Sequence, residues 1–445
     1  MTLPEPSTWT SSDRPLARYV VQPVARFLDV EAAGGILLLA ATAAALVWAN
    51  SPWSASYHQL WHTTVAVEAG PLHLSEDLVH WVNDGLMALF FFVVGLEIKR
   101  ELVAGQLADL RDATLPVIAA LGGMVVPAVL FLAVNIGGDG AKGWGIPMAT
   151  DIAFALGILV LLGDGVPASL KVLLLGLAIA DDIGAIVVIA VFYTDEISLR
   201  WLLGAVAGLV LVAVMRRARV WFVPAYVMVG AIVWACTLES GIHATIAGVA
   251  LGLLTPARPL RDEADPGPIA EQVTDRLAAD GEVTASEVRE IGFELRESVS
   301  VADRLETTLH PWTSYVVIPL FALANAGIPL SSGALRDAAS SRITIGVVVG
   351  LVAGKLAGVS AFAWLAVRCR MARLPDDLGW SHVIGMAALA GVGFTVSIFV
   401  AGLAYADAGQ QDEAKIGVLV ASVAAAGLGV LLLLRSTRVG AADSA

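Results

Sequence analysis

Apolar runs long enough to cross a bilayer recur from Ala33 to Leu434, separated by short polar turns. At about 1.5 Å of rise per residue they predict membrane helices at 33–50, 78–98, 114–136, 145–162, 170–193, 199–215, 220–236, 241–255, 310–327, 343–367, 382–404 and 414–434. The pattern therefore predicts an all-α polytopic membrane protein with about 12 transmembrane helices. One short stretch has a different period. Val65–Leu74, VAVEAGPLHL, alternates around a Gly-Pro pair and predicts a hairpin.

Two runs carry helix breakers in their middle. Segment 145–162, GIPMATDIAFALGILVLL, holds Pro147, Thr150 and Asp151; segment 382–404, HVIGMAALAGVGFTVSIFVAGLA, holds Gly391, Gly393 and Thr395. Interrupted segments at matching places in two halves of a transporter point to its binding site. Segment 145–162 precedes a helix with two buried acids, and 382–404 follows a helix with a buried lysine. Their span order gives the two three-helix units opposite orientations. The reading is an inverted-topology repeat with two broken, crossing helices; Gly-rich helices packed against neighbours are the plainer alternative for either segment alone.

Charge orients the spans. Lys99, Arg100 and Arg111, then Lys171, then Arg216, Arg217 and Arg219, then Arg368, Arg370 and Arg373, and finally Arg435 and Arg438 fall in alternate loops. The intervening loops hold only Lys142, Arg200, Arg336, Arg342 and Lys415. Both termini are thus expected in the cytoplasm, which an even number of spans requires. This divides the chain into a polar cytoplasmic extension (1–32), spans one to eight (33–255), a cytoplasmic insertion (256–303), spans nine to twelve (304–434) and a cytoplasmic tail (435–445). The long polar lead favours an uncleaved first helix over a signal peptide. The insertion is acidic and Pro-rich; Glu282 to Glu306 has the makings of an amphipathic helix, and disorder is the alternative for its first half.

Composition agrees with the pattern. The chain is 57% hydrophobic and only 15% charged, against about 25% charged residues in soluble domains. Much of its net charge of −13 lies in the insertion, so no acidic membrane face follows, and no basic patch suited to nucleic acid is present. Cys236 and Cys369 are too far apart to suggest a disulfide framework or a metal-thiolate site.

The chemistry concentrates in a few intramembrane charges. Asp181 and Asp182 stand side by side within the run Val172–Tyr193, where each ionised carboxylate costs roughly 2.5–3.5 kcal/mol. Adjacent helical positions differ by about 100°, so the two cannot point the same way. Lys355, mid-run in 343–367, is too deep to snorkel easily, so it is expected to pair with one of these aspartates while the other faces a water-filled cavity. Coupled carboxylates of this kind suit exchange of a proton for a hard monovalent cation, Na⁺ or Li⁺. Asp151 is expected beside the positive N-terminus of a half-helix, where both structural stabilisation and direct ion contact stay open, and Lys355 is expected to offset half-helix C-terminal carbonyls. Glu97 and Glu101 lie one turn apart in GLEIKRE. A solvated helix end explains them by composition alone, and His243 in SGIHATIAG reads either as a packed polar residue or as a titrating switch.

Taken in order, GLEIKREL, PMATDIAFALGILVLLG, LAIADDIGAIVVIAVFYT, SGIHATIAG, LHPW, FALANAGI, AGKLAG and GVGFTVSIF resemble the NhaA-type bacterial sodium/proton antiporters, from Val30 to Leu434. The resemblance implies a pH-regulated, electrogenic antiporter of the cell membrane that exports Na⁺ or Li⁺ against external H⁺. No cofactor and no enzymatic activity are implied. It makes Asp182 the main cation ligand and Asp181 the partner of Lys355, and it sets Asp151 and Thr150 at the helix crossing. It assigns Glu97, Glu101 and Glu306 to a cytoplasmic pH-responsive cluster, with Asp84 on the second helix nearby and His243 as a further pH-regulation candidate. It also implies a homodimer joined through an external hairpin, which Val65–Leu74 fits. Two departures fall outside this pattern: the insertion directly precedes Glu306, and Leu356 stands where the family often has proline. An intramembrane aspartyl protease using Asp151 and Asp182 lacks its Gly-x-Gly-Asp signature, since the nearest match, Gly163–Gly165, is expected in a loop. A passive cation channel is the other alternative, and a pH-gradient test separates it from an antiporter.

Overall fold

The computed structural model describes residues 33–69, 72–194, 197–218, 220, 222–258 and 299–443. The expected N-terminal extension and most of the expected insertion, including its proposed helix before residue 299, lie outside the described residues. In chain order the helices are α1 (Ala33–Ala49), α2 (Ser54–Trp61), α3 (Met87–Val103), α4 (Leu110–Val134), α5 (Ile152–Leu161), α6 (Ala168–Phe192), α7 (Leu199–Arg217), α8 (Val223–Glu239) and α9 (Thr245–Leu254). They continue as α10 (Val301–Trp312), α11 (Ile318–Asn325), α12 (Ser332–Ser340), α13 (Arg342–Val348), α14 (Lys355–Arg368), α15 (Trp380–Leu389), α16 (Phe394–Ala404) and α17 (Ala408–Asp443). Strands β1 (Thr64–Ala69) and β2 (Leu72–Asp77) pair antiparallel in the register Thr64↔Asp77 to Ala69↔Leu72.

Each of the twelve expected windows holds helix. Not all are simple rods. Five described helices are long and apolar enough to cross a membrane, and up to eight segments are if each bent pair counts as one span. The second window reaches α3 through the short helix Leu78–His80 and a π-helical turn, Trp81–Leu86; π-helical turns also lead into α11 (Thr313–Val317) and α14 (Val349–Gly354). The end of the chain departs from expectation: α17 does not stop near residue 434 but runs to Asp443. The sequence beyond residue 434 contains no proline to stop it. The Gly163–Gly165 stretch is a 3-10 turn rather than an open loop.

The described residues form two compact units. Those of 1–58, 118–181 and 318–445 make one, and those of 59–117 and 182–317 make the other, so the division along α6 falls between Asp181 and Asp182. In the first unit α17 packs on α13, α15 and α16, and α1 packs on α11. Its α4 and α14 approach so closely that a Cβ on Gly358 would lie 2.8 Å from the Gly122 carbonyl carbon, a spacing only small residues allow. In the second unit α9 lies against α3. A Cβ on Gly95 would come within 2.8 Å of the Val249 carbonyl, and one on Gly252 within 2.6 Å of the Phe92 carbonyl. An apolar cluster of Val212, Met215, Val229, Val233 and Ala247 joins α7, α8 and α9.

Candidate functional site

The first unit contains two broken helices. The 3-10 segment Asp139–Met148 and α5 bend by 43° at Ala149–Asp151, and α15 and α16 bend by 46° at Ala390–Gly393. A break exposes peptide N–H groups at one half-helix and carbonyls at the other, and a site without water must satisfy them from within the protein. Here the two breaks satisfy each other. The Asp151 N–H donates to the Val392 carbonyl at 2.7 Å. Asp151 Oδ1 caps α5 by accepting from the Phe154 N–H at 3.0 Å. Its Oδ2 accepts from the N–H of Thr395 in the first turn of α16 at 3.1 Å, and from Thr395 Oγ1 at 2.7 Å. One carboxylate therefore sits at two positive helix ends.

The carbonyl ends are served by hydroxyls. Ser397 Oγ donates to the Ile146 carbonyl at 2.7 Å. Thr150 Oγ1 lies 2.8 Å from both the Ala390 carbonyl and Asp181 Oδ2, and with one proton it donates to only one of them at a time. Its lone pairs accept from Lys355 Nζ at 3.0 Å. Among the described residues, the hydroxyl within reach of the Ala390 carbonyl is that of Thr150, and Lys355 Nζ donates to Thr150 and Asp181.

Lys355 and Asp181 form an ion pair with Nζ–Oδ2 at 2.5 Å and no solvent exposure on either side chain. The lysine backbone is helical, its N–H donated to the Gly350 carbonyl, so the chain enters α14 without a break at Leu356. The lysine stem passes the bare face of Gly123, where a Cβ would touch it at 3.6 Å. Asp181 Oδ1 is buried and accepts no hydrogen bond from a described residue. Asp182 follows on α6 and is also buried.

The second unit gathers a different set of charges. Arg100 Nη1 donates to Glu306 Oε1 at 2.6 Å, and Arg100 Nη2 lies 3.5 Å from Glu101 Oε1. Glu97 stands close enough to feel Arg100, Glu101 and Glu306. Ser300 caps α10 and so fixes Glu306 in its second turn. Burial pushes the Glu306 carboxyl above the ordinary glutamate range, and Arg100 pulls it partly back. Arg100, read from sequence only as a loop charge, is the counter-ion that organises this set. Two candidates fall elsewhere. Asp84 lies in the π-helical turn beside Glu76, His80 and Trp234, roughly 20 Å along the helix from Glu97. His243 lies in the turn before α9, whereas Ala302 of α10 bonds to Pro256 beyond the other end of α9. The resemblance set Asp84 on the second helix, and it stands there at the end away from Glu97.

The family described as Na⁺/H⁺ antiporter 1 matches residues 25–433. The chain belongs to that family. It is 48% identical over 432 residues to the Na⁺/H⁺ antiporter NhaA of Rhodopirellula baltica, covering 94% of this chain and 95% of the relative. It is 47% identical to NhaA 2 of Sorangium cellulosum, with 95% and 91% covered, and 47% identical to NhaA 2 of Myxococcus xanthus, with 99% and 95% covered. The antiporter family and the recurrent apolar helices together make this a multi-pass membrane protein.

Proposed function

We propose that this chain is a sodium/proton antiporter that exports Na⁺, and Li⁺, in exchange for external H⁺, with no enzymatic step. The observation that carries the reading is the fully buried Lys355–Asp181 pair beside an Asp181 oxygen that has no hydrogen-bond donor among the described residues, held where two helix breaks satisfy one another. Neutral packing does not call for such a pair, since apolar residues of similar volume would be as stable or more so. A carboxylate that exchanges its cationic partner gives a proton and a hard cation a common site. In this reading Asp182 is the main cation ligand, Asp181 alternates between Lys355 and the transported ions, and Thr150 and Asp151 hold the crossing in shape.

The cycle is alternating access. Open to the cytoplasm, the carboxylates lose protons and bind Na⁺; after the change of access, external protons displace it. Two aspartates, or one with Lys355, allow more than one proton per cation, so transport is electrogenic. Twelve spans arranged as inverted repeats, cytoplasmic termini, a cytoplasmic acidic insertion and a location in the cell membrane complete the proposal. So does a homodimer joined through the 65–74 hairpin. Glu97, Glu101 and Glu306 are its pH-regulating residues.

Everted vesicles energised to an acid interior test it. Addition of Na⁺ or Li⁺, but not K⁺, is expected to dissipate the pH gradient, and Asp182→Asn to abolish that response. Full activity in Asp182→Asn would sink the site assignment. Exchange unaffected by membrane voltage in proteoliposomes would contradict the stoichiometry.

A further inference from the structure

Three titratable side chains meet where the hairpin runs into the helix that starts at Leu78. Asp77 ends β2 and caps that helix, its Oδ1 accepting from the His80 N–H at 2.9 Å. The same oxygen lies 2.6 Å from His80 Nδ1, while Asp77 Oδ2 lies 3.0 Å from Nδ1 of His62, just before β1. Both rings are more than half exposed and the carboxylate between them is mostly covered. Glu76 of β2 and Asp84 of the π-helical turn also face His80, and α8 contributes Trp234 and Leu238, neither of which titrates.

We propose that His62, Asp77 and His80 form a pH-responsive clasp that fastens the hairpin to the start of the second helix and tightens when the imidazoles take up protons. Each neutral ring donates at most one hydrogen bond to Asp77. As imidazoliums the rings add charge attraction to Asp77, Glu76 and Asp84. Burial pushes the Asp77 carboxyl up, but hydrogen bonds from the His80 N–H and from the His80 and His62 rings prevail and hold it below its ordinary value. Asp77 thus stays anionic and available to both rings when they carry protons. The clasp modulates an attachment that is already made. Trp81 Nε1 donates to the Val65 carbonyl at 3.0 Å, and its ring stacks on Trp234 at 6.1 Å between centroids. The stabilisation is present at low pH and is lost as the pH rises through the histidine titration.

Amide hydrogen exchange of the full chain in lipid nanodiscs tests this, with rates referred to those of an unstructured peptide at each pH. The strands Thr64–Ala69 and Leu72–Asp77 are expected to lose protection roughly threefold to tenfold between about pH 5.5 and pH 8, the scale of two part-exposed ion pairs. The dependence should be flat in His62→Gln/His80→Gln and in Asp77→Asn. Wild-type protection independent of pH, or a dependence that survives in either variant, would overturn the proposal. Exchange is read without transport, so failure of the antiport assay leaves this result standing.

Discussion

The molecule carries two charged clusters built on opposite terms. In the first unit, the Lys355 and Asp181 side chains are wholly removed from solvent, and Asp181 Oδ1 accepts no hydrogen bond from a described residue. In the second unit, Arg100 joins Glu306 with their side chains 36% and 12% exposed, so water still reaches the pair. Removing either partner of a buried pair strands a charge, whereas an exposed pair is screened and gains little. The contrast separates a pair sealed from solvent from one that water still reaches.

The sharpest way to break this comparison is to unpair the first cluster. Asp181→Asn leaves a buried ammonium and is expected to cost about 3–5 kcal/mol, with Lys355→Ala similar. The double variant should cost clearly less than the sum, because neither charge is then left alone. Denaturation of the purified variants in detergent measures this. Lys355→Ala with unchanged stability and an unchanged voltage response would refute a working ion pair.

The same contrast explains what the sequence made legible. Asp181, Asp182 and Lys355 stood out because an ionised group inside a long apolar run has no inexpensive explanation. Pro147 with Asp151, and Gly391 with Gly393, marked the two breaks because proline and paired glycines interrupt helices. The pairing of the breaks was less visible. That Asp151 caps α16 as well as α5, and that Ser397 serves the Ile146 carbonyl, depends on contacts between residues more than 240 positions apart. Ser397 looked like any small residue in a packed helix. Arg100 was overlooked because a basic residue at a helix end is ordinary until a distant glutamate meets it. Where Asp84 and His243 stand relative to Arg100 and Glu306 is not written in the sequence, since membership of one element does not say which end meets a distant residue. The π-helical turns before α11 and α14 leave no clear mark in apolar periodicity.

A smaller perturbation tests whether the crossing is as tightly satisfied as the buried pair. Thr395→Val removes the hydroxyl donor to the Asp151 carboxylate while keeping the Thr395 backbone N–H and the side-chain volume. The expected loss is about 1–3 kcal/mol, with a raised KM for Na⁺ if the crossing sets the geometry around Asp181. Stability and KM equal to wild type would show that the backbone donors suffice.

The least disruptive test lies in the second cluster, where sign matters more than size. Burial holds Glu306 above its ordinary value in the folded protein, so the folded state binds a proton that the unfolded state has already lost. That contribution is fully present below the ordinary glutamate value and disappears as the pH rises through the raised one. Arg100 opposes the shift, so Arg100→Gln should raise the Glu306 carboxyl further and steepen the loss of stability toward neutral pH. Glu306→Gln should flatten it. Solvent access to Arg100 keeps the change at about 1 kcal/mol or less. If ionisation of this cluster activates exchange, Arg100→Gln also moves activation to higher pH, whereas a clasp at the hairpin would be untouched. Unfolding midpoints and exchange rates across one pH series read both effects, and an activation profile that stays put while the stability slope moves would separate the cluster's electrostatics from regulation.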